Sequence, residues 1–348
     1  MLTEKKPLGK NGIMIPPVIF GTSALGNLYT ELDKNTKYQI VKACFDNVEC
    51  PVVFDSAGKY GAGLALEVLG KCLESLDINS DDVIISNKLG WQQVPLEAAE
   101  PQFEPGIWKN INHDAIQTIS YNGIMKCWEQ GNRLLGYKYK PGLVSVHDPD
   151  EYLNQASSEA ERKKLYQDIL DAYKALEFLK RSGLVSGVGI GAKDWHIIEL
   201  LANDIELDWA MFANSMTIFK HPPDLINFMK KISSQGVGII NSAIFNAGFL
   251  TGGEFYDYRI IRPDSSENRK IFQWRNDFFE ICRKYDVRPA NACVHFGMSP
   301  PEVSAVSLNT SNPDRVRKNA EAVIADVPAA FYEEMKKRGL IRADYPYV

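Results

Sequence analysis

Apolar residues fall in short runs separated by longer stretches in which they recur with helical spacing. Eight runs read as strands: Val18–Phe20, Pro51–Phe54, Val83–Ser86, Leu143–Val146, Val185–Ile190, Trp209–Ala213, Val237–Ile240 and Val303–Ser307. Most are apolar at consecutive positions, the pattern of parallel strands covered on both faces. Between them, Ile169–Leu179 sets Ile169, Leu170, Tyr173, Leu176 and Leu179 along one helical face. Asn35–Asn47, Leu64–Leu76 and Pro222–Ser234 read the same way, and Pro289 suits the first turn of a helix over Ala290–Gly297. Alternating strands and helices predict βαβ units around a parallel sheet. Eight such strands in 348 residues fit an α/β fold of the closed (β/α)8, or TIM-barrel, kind, as one domain over residues 1–348.

Three segments lie outside this alternation. Leu8–Ile15 carries Asn11-Gly12 between short apolar stretches, which predicts a hairpin ahead of the first strand, placed to plug the barrel bottom. Gln92–Asn112, rich in proline and aromatics, and Glu254–Ser266, rich in Tyr, Arg and Asp, read as insertions after the third and seventh strands. In a barrel such strand-to-helix loops lie on the catalytic face and shape the pocket.

Composition narrows the partners. A net charge of −5 argues against a nucleic-acid binder, which needs a cationic surface. The six cysteines are scattered with no C-x-x-C pair, and the five histidines form no ligand pattern. We therefore expect reduced thiols, no metal, and a cytoplasmic location. Met1–Lys10 has no apolar stretch behind its lysines, and no run of about 18 apolar residues occurs, so neither a signal peptide nor a membrane span is expected. The partner is a small molecule.

Barrels present chemistry at the C-terminal ends of their strands. There the second strand ends at Asp55 and runs on to Tyr60, the third ends in Asn87-Lys88, and the fourth in His147-Asp148. Each residue alone has an ordinary reading as a cap, a surface charge or packing. Together they form a proton-transfer set. An ammonium beside a phenol stabilises its phenolate, an aspartate holds the lysine charged and oriented, and a histidine positions a carbonyl oxygen. Tyr60 is then the general acid for carbonyl reduction, or the general base for alcohol oxidation.

Phe54-Asp55-Ser56-Ala57-Gly58-Lys59-Tyr60-Gly61, followed by Glu67-Val68-Leu69-Gly70, resembles the signature of the aldo-keto reductases. Ser86-Asn87-Lys88 and Val146-His147-Asp148-Pro149-Asp150 resemble that family's lysine and histidine segments. The resemblance implies a nicotinamide-dependent oxidoreductase with the tetrad Asp55, Tyr60, Lys88 and His147. Ser120-Tyr121-Asn122-Gly123, His147-Asp148-Pro149-Asp150 and Phe245-Asn246-Ala247-Gly248-Phe249-Leu250 are similar to the sugar 1-dehydrogenase branch, which implies an aldose 1-dehydrogenase. The alternatives are a carbonyl reductase for aldehydes or ketones, or a nicotinamide-binding regulatory subunit.

Gly187-Val188-Gly189-Ile190-Gly191 lacks the spacing of a dinucleotide-fold fingerprint and reads as close packing in a barrel strand. The resemblance instead places the cofactor, NADP or NAD with NADP ahead, over the late strands. It implies contacts from Gly21, Thr22, Asp55, Asn214, Met216, Ser242, Phe245, Asn246, Leu250, Asn309, Thr310, Arg315 and Asn319. Arg315 and Asn319 share one helical face, and a guanidinium suits a 2′-phosphate. The residues with which the family reads the carboxamide, after the sixth strand and in the seventh, correspond to Gly191-Ala192 and Ala213. Met216 stands where a stacking tyrosine is usual. Asn214, Ser215 or Lys193 would then supply the missing hydrogen bonds.

Overall fold

A computed structural model describes all 348 residues, Met1–Val348. Eight parallel strands close a barrel: β1 Val18–Gly21, β2 Val52–Ala57, β3 Val83–Leu89, β4 Leu143–His147, β5 Gly187–Ala192, β6 Trp209–Ala213, β7 Gly238–Ser242 and β8 Val303–Asn309. Each pairs with its neighbours in sequence, and β8 returns to β1 through Val306↔Val18 to Asn309↔Gly21. The expected strands are all present. Several run further at the C-terminal end than the apolar runs, because the final residues are the polar ones that face the barrel mouth.

Side chains alternate across the barrel wall, as strand geometry requires. Val18, Phe20, Val52 and Phe54 point outward into one helix-facing core, while Ile19, Val53, Leu143, Trp209, Met211, Ile240 and Ala305 fill the interior. Gly189 of β5 makes room for the largest of these. A Cβ on Gly189 would lie 2.1 Å from the Trp209 ring, so only glycine fits beside that fully buried indole. Gly189→Ala is expected to cost about 1–3 kcal/mol through overpacking, read as a lower urea midpoint at unchanged m-value. Unaltered stability would refute this account of Gly189.

The leading hairpin pairs Lys6↔Ile15 and Pro7↔Met14 and seals the bottom. Leu8 and Ile15 are fully buried in the interior cluster. Gly9, at φ +66°, abuts the backbone of Gly236, Gly238 and Asp208, where a Cβ would meet main-chain atoms at 2.5–2.7 Å. The turn is longer than Asn11-Gly12 alone: Leu8 N–H donates to Ile13 O at 2.8 Å.

Helices cover the outside with the expected local signals. Ser120 caps the helix Tyr121–Leu134 by accepting from Gly123 N–H at 3.0 Å, so the Ser-Tyr-Asn-Gly segment begins that helix. Pro289 opens Pro289–Met298. Ser158 caps Glu159–Arg181, a helix a full ten residues longer at its start than its apolar stripe. No helix is long and apolar enough to cross a membrane. All six cysteines are free.

Two excursions rise above the mouth. After β3 the chain continues into an antiparallel arm in which Trp91–Pro95 pairs with His113–Gln117, so the insertion Gln92–Asn112 comprises most of the ladder's first strand and the tip beyond it. After β7 a short hairpin pairs Phe255↔Ile260 and Tyr256↔Arg259. Tyr29, in the loop after β1, is joined to both excursions. Its N–H donates to Ile107 O at 2.9 Å, and its ring stacks on Phe255 at 4.3 Å.

Candidate functional site

The alternation that fills the barrel with apolar residues also delivers its polar ones to the mouth. Asp55 follows inward-facing Val53, Lys88 follows Ser86, and His147 follows Leu143 and Ser145, each on the same face of its strand. Register sets them side by side: Asp55 lies opposite Ser86, Lys88 opposite Ser145, and His147 opposite Gly191. The Lys88 ammonium is bonded to Asp55, and both side chains are buried. Tyr60 comes from the turn after β2. Its ring lies 5.0 Å from the Lys88 nitrogen and meets the His147 ring edge-on at 5.6 Å. The four residues therefore converge.

Their electrostatics differ from the sequence expectation in one respect. The Tyr60 hydroxyl is held well above the ordinary tyrosine value of 10.0, first by burial and then by the Asp55 and Asp148 charges. Lys88 lies beside the ring and is paired with Asp55, and the net effect of the surroundings is a less acidic phenol. His147 is pushed well below its usual 6.5 by burial and by the neighbouring Lys59 and Lys88, so its ring is neutral at neutral pH. Its Nε2 lies 3.4 Å from Asp148, and its buried Nδ1 has no partner.

A second set of charges surrounds these residues. The Lys59 ammonium reaches Glu104 at 3.0 Å, Glu151 at 3.3 Å and Asp148 at 3.4 Å. Lys193, after β5, pairs with Glu151 and lies 5.0 Å from the Tyr258 ring of the hairpin after β7. Glu104 also accepts from Trp108 Nε1 at 2.6 Å, and Trp108 packs against Tyr60 at 5.9 Å. Sequence reasoning missed Glu104, Trp108, Glu151 and Tyr258. Lys59 sits inside the quoted signature and was passed over, although a lysine beside the tyrosine was the available signal.

Among the residues expected at the cofactor, Asn214 stands out. It directly follows β6 at φ +56°, is buried, and neither atom of its amide has a partner. Of the three candidates for the carboxamide it alone is unengaged, since the Ser215 hydroxyl donates to Lys193 O and Ala213 O, and Lys193 is paired. Gly191-Ala192 and Ala213 close the fifth and sixth strands, not the sixth and seventh, as the register between β5 and β6 shows. Met216 is sealed in the apolar core with no exposed surface, so it does not stack at the mouth; the position is apolar and the core takes it.

The rest divide in the same way. Thr22 is buried, its hydroxyl donating to Asp55 O and to Ser56 Oγ, so it fastens β1 to β2. Leu250 is buried in the core, and Phe245 is half-buried beside it. Ser242 ends β7, and Asn246 ties that loop to the hairpin by donating to Asp257 at 2.9 Å. Gly21 abuts Asn309, whose amide donates to Ser23 at 2.7 Å. Thr310 and Asn312 shape the turn before the helix Asp314–Ala322. On that helix Arg317 pairs with Glu321, whereas Arg315 is exposed and forms no ion pair, with half-buried Asn319 one turn on.

Several buried polar atoms at the mouth lack partners: Asp55 Oδ1, His147 Nδ1 and both amide atoms of Asn214. Such groups are costly unless a ligand or water satisfies them. A nicotinamide carboxamide offers both a donor and an acceptor, which is what the Asn214 amide needs.

Known proteins resemble the chain along almost its whole length. The family model described as "Aldo/keto reductase family" matches residues 17–342. A pyridoxal 4-dehydrogenase of Microbacterium luteolum is 24% identical, covering 97% of this chain and 98% of that one. A D-threo-aldose 1-dehydrogenase of a Pseudomonas species is also 24% identical, at 95% and 96% coverage. Among solved structures, an aldo-keto reductase of Bacillus halodurans in its holo form superposes with TM-score 0.66 at 19% identity, covering 98% and 97%. The glycerol dehydrogenase of Gluconobacter oxydans gives TM-score 0.68 at 15% identity, covering 99% and 98%.

Proposed function

Because the chain belongs to the aldo/keto reductase family and is a nicotinamide-dependent oxidoreductase, we propose that it is an aldose 1-dehydrogenase in which Tyr60 takes the proton of the C1 hydroxyl. The observation that carries this reading is the convergence of Tyr60, Lys88, His147 and Asp55 on one rim of the barrel. Two relatives named for aldose or pyridoxal oxidation support it. A cyclic hemiacetal suits the site best. Its C1 already bears the hydroxyl and hydrogen that oxidation removes, so the site needs neither a thiol nucleophile nor an activated water. All five buried cysteines have thiols disfavoured from ionising or packed in the helix-facing cores.

The bound nicotinamide accepts or supplies the hydride. This chain's residues hold the substrate oxygen and move its proton. His147, neutral, fixes the oxygen without competing for the proton, and the Lys88–Asp55 pair anchors the floor on which Tyr60 rests. Asn214 would hold the carboxamide, and Arg315 with Asn319 the adenine end. NADP is the proposed cofactor. Arg315→Ala is expected to weaken NADP⁺ by about 10–100-fold and NAD⁺ by less than about twofold, since a charged hydrogen-bonded contact contributes roughly 1.5–3 kcal/mol. Titration by tryptophan fluorescence checks this, and equal losses for both cofactors would refute it.

Steady-state rates on neutral aldoses against pH test the main reading. With Tyr60 held above 10.0, the phenolate needed as base is scarce at neutral pH and grows as pH rises. Oxidation kcat/KM should therefore climb about tenfold per pH unit without a plateau below pH about 10. Reduction needs the protonated phenol and should stay flat through the neutral range. With His147 neutral, neither direction should break near 6.5. No turnover of any aldose with either cofactor overturns the reading.

A further inference from the structure

The ion pairs around Lys59 lie where a substrate would approach Tyr60, and they come from five different segments of the chain. Lys59 follows β2, Glu104 belongs to the arm, Asp148 and Glu151 follow β4, Lys193 follows β5, and the Tyr258 ring covers Lys193 from the hairpin after β7. Lys59 is not a solvated lysine. Only 7% of its side chain is exposed, and its ammonium also lies 5.2 Å from the Trp91 ring centroid.

We propose that this cluster sets the charge class of the substrate, so that the site takes neutral, hydroxyl-rich compounds and rejects phosphorylated or carboxylated ones. The inference rests on the reading that substrate meets Tyr60 at the barrel mouth.

Two physical facts support it. First, each lysine bordering Tyr60 and His147 already ends on a carboxylate: Lys88 on Asp55, Lys193 on Glu151, and Lys59 on Glu104, Asp148 and Glu151. Four carboxylates thus face three ammonium groups, and His147, held neutral by burial and the nearby lysines, adds no positive charge. An anionic group brought among these three lysines finds each of them already paired and opposes a surplus negative charge in a poorly screened setting. Second, carboxylates are strong acceptors for hydroxyl donors. Asp148 and Glu151 keep partly exposed edges, with 16% and 40% of their side chains accessible, from which to receive sugar hydroxyls. The one unpaired arginine singled out for phosphate, Arg315, belongs to the helix after β8 and not to this cluster.

The test compares kcat/KM for a neutral aldose with that for its 6-phosphate and its uronic acid. In parallel it compares reduction of 4-formylbenzamide with that of 4-formylbenzoate, a pair of nearly equal shape that does not depend on the sugar reading. Each anion is expected to be about 100-fold poorer than its neutral counterpart. Glu104→Gln and, separately, Glu151→Gln each remove a carboxylate from Lys59, and should raise the anion-to-neutral ratio about tenfold. Circular dichroism of both variants confirms that the fold persists. Discrimination between the aldehydes with no aldose turned over would keep the charge inference and remove the sugar reading. Anions accepted within about threefold of the neutral compounds, or ratios unmoved in both variants, would overturn the inference. Inactivity toward all compounds would overturn both.

Discussion

Tyr60→Phe is expected to lower kcat by about 10²–10⁴-fold while cofactor affinity stays within about twofold, because one positioned proton donor contributes on that scale. The substitution deletes a single oxygen. Its ring contacts, to Trp108 at 5.9 Å, to His147 at 5.6 Å and under the Lys88 ammonium at 5.0 Å, persist with a phenyl ring, so the packing that shapes the mouth is retained. An interaction made only at the transition state should reduce kcat and kcat/KM together and leave KM nearly unchanged. The measurement is steady-state turnover on one aldose beside a fluorescence titration with cofactor. A variant with undiminished kcat would remove Tyr60 as the proton carrier and favour a protein that binds nicotinamide without needing fast turnover.

The barrel was legible because burial on both faces writes consecutive apolar runs into each strand, and the eight runs all lie within observed strands or overlap them. What the runs could not reveal was the inward and outward alternation. Gly189 is explained only by Trp209 on the adjacent strand, a contact fixed by tertiary register. The ladder of Trp91–Pro95 with His113–Gln117 is not legible because it covers the mouth rather than the core, and its residues are mostly half-exposed with apolar and polar positions mixed. The helix Ser266–Lys284 was equally silent: among its residues only Phe278, Ile281 and Cys282 are buried.

In the site, the tetrad was visible since each member ends a strand or follows one within a short motif. Its energetics were not. An isolated sequence shows a lysine near a tyrosine, and the expected effect is a more acidic phenol. In the fold the lysine faces an aspartate and the phenol is buried among carboxylates, so the direction reverses. Lys59 was hidden for a related reason: its partners Glu104, Asp148 and Glu151 lie 45 or more positions away in sequence and meet it only through the barrel. Met216 shows the opposite failure. Likeness of position suggested a surface that stacks on a ring, yet the side chain is fully enclosed.

Lys88→Met should separate the structural from the chemical share of the buried pair. Both side chains are nearly inaccessible, 7% exposed for Lys88 and 6% for Asp55, and Asp55 Oδ1 already lacks a partner. Removing the ammonium leaves a carboxylate without compensation in the barrel interior, which is expected to lower unfolding free energy by about 3–5 kcal/mol. Adding Asp55→Leu removes the stranded charge and should return most of that stability, since an apolar pair of similar volume often equals or exceeds a buried ion pair. Activity should behave differently. Without the pair, the floor under Tyr60 loses the contact that holds the ammonium 5.0 Å from its ring, so both the single and double variants should retain less than about 1% of kcat. Urea denaturation and turnover measured on the same preparations decide the matter: a double variant recovering both would mean that the Asp55–Lys88 pair serves folding alone, and one recovering neither would mean that its stabilising role extends beyond charge compensation.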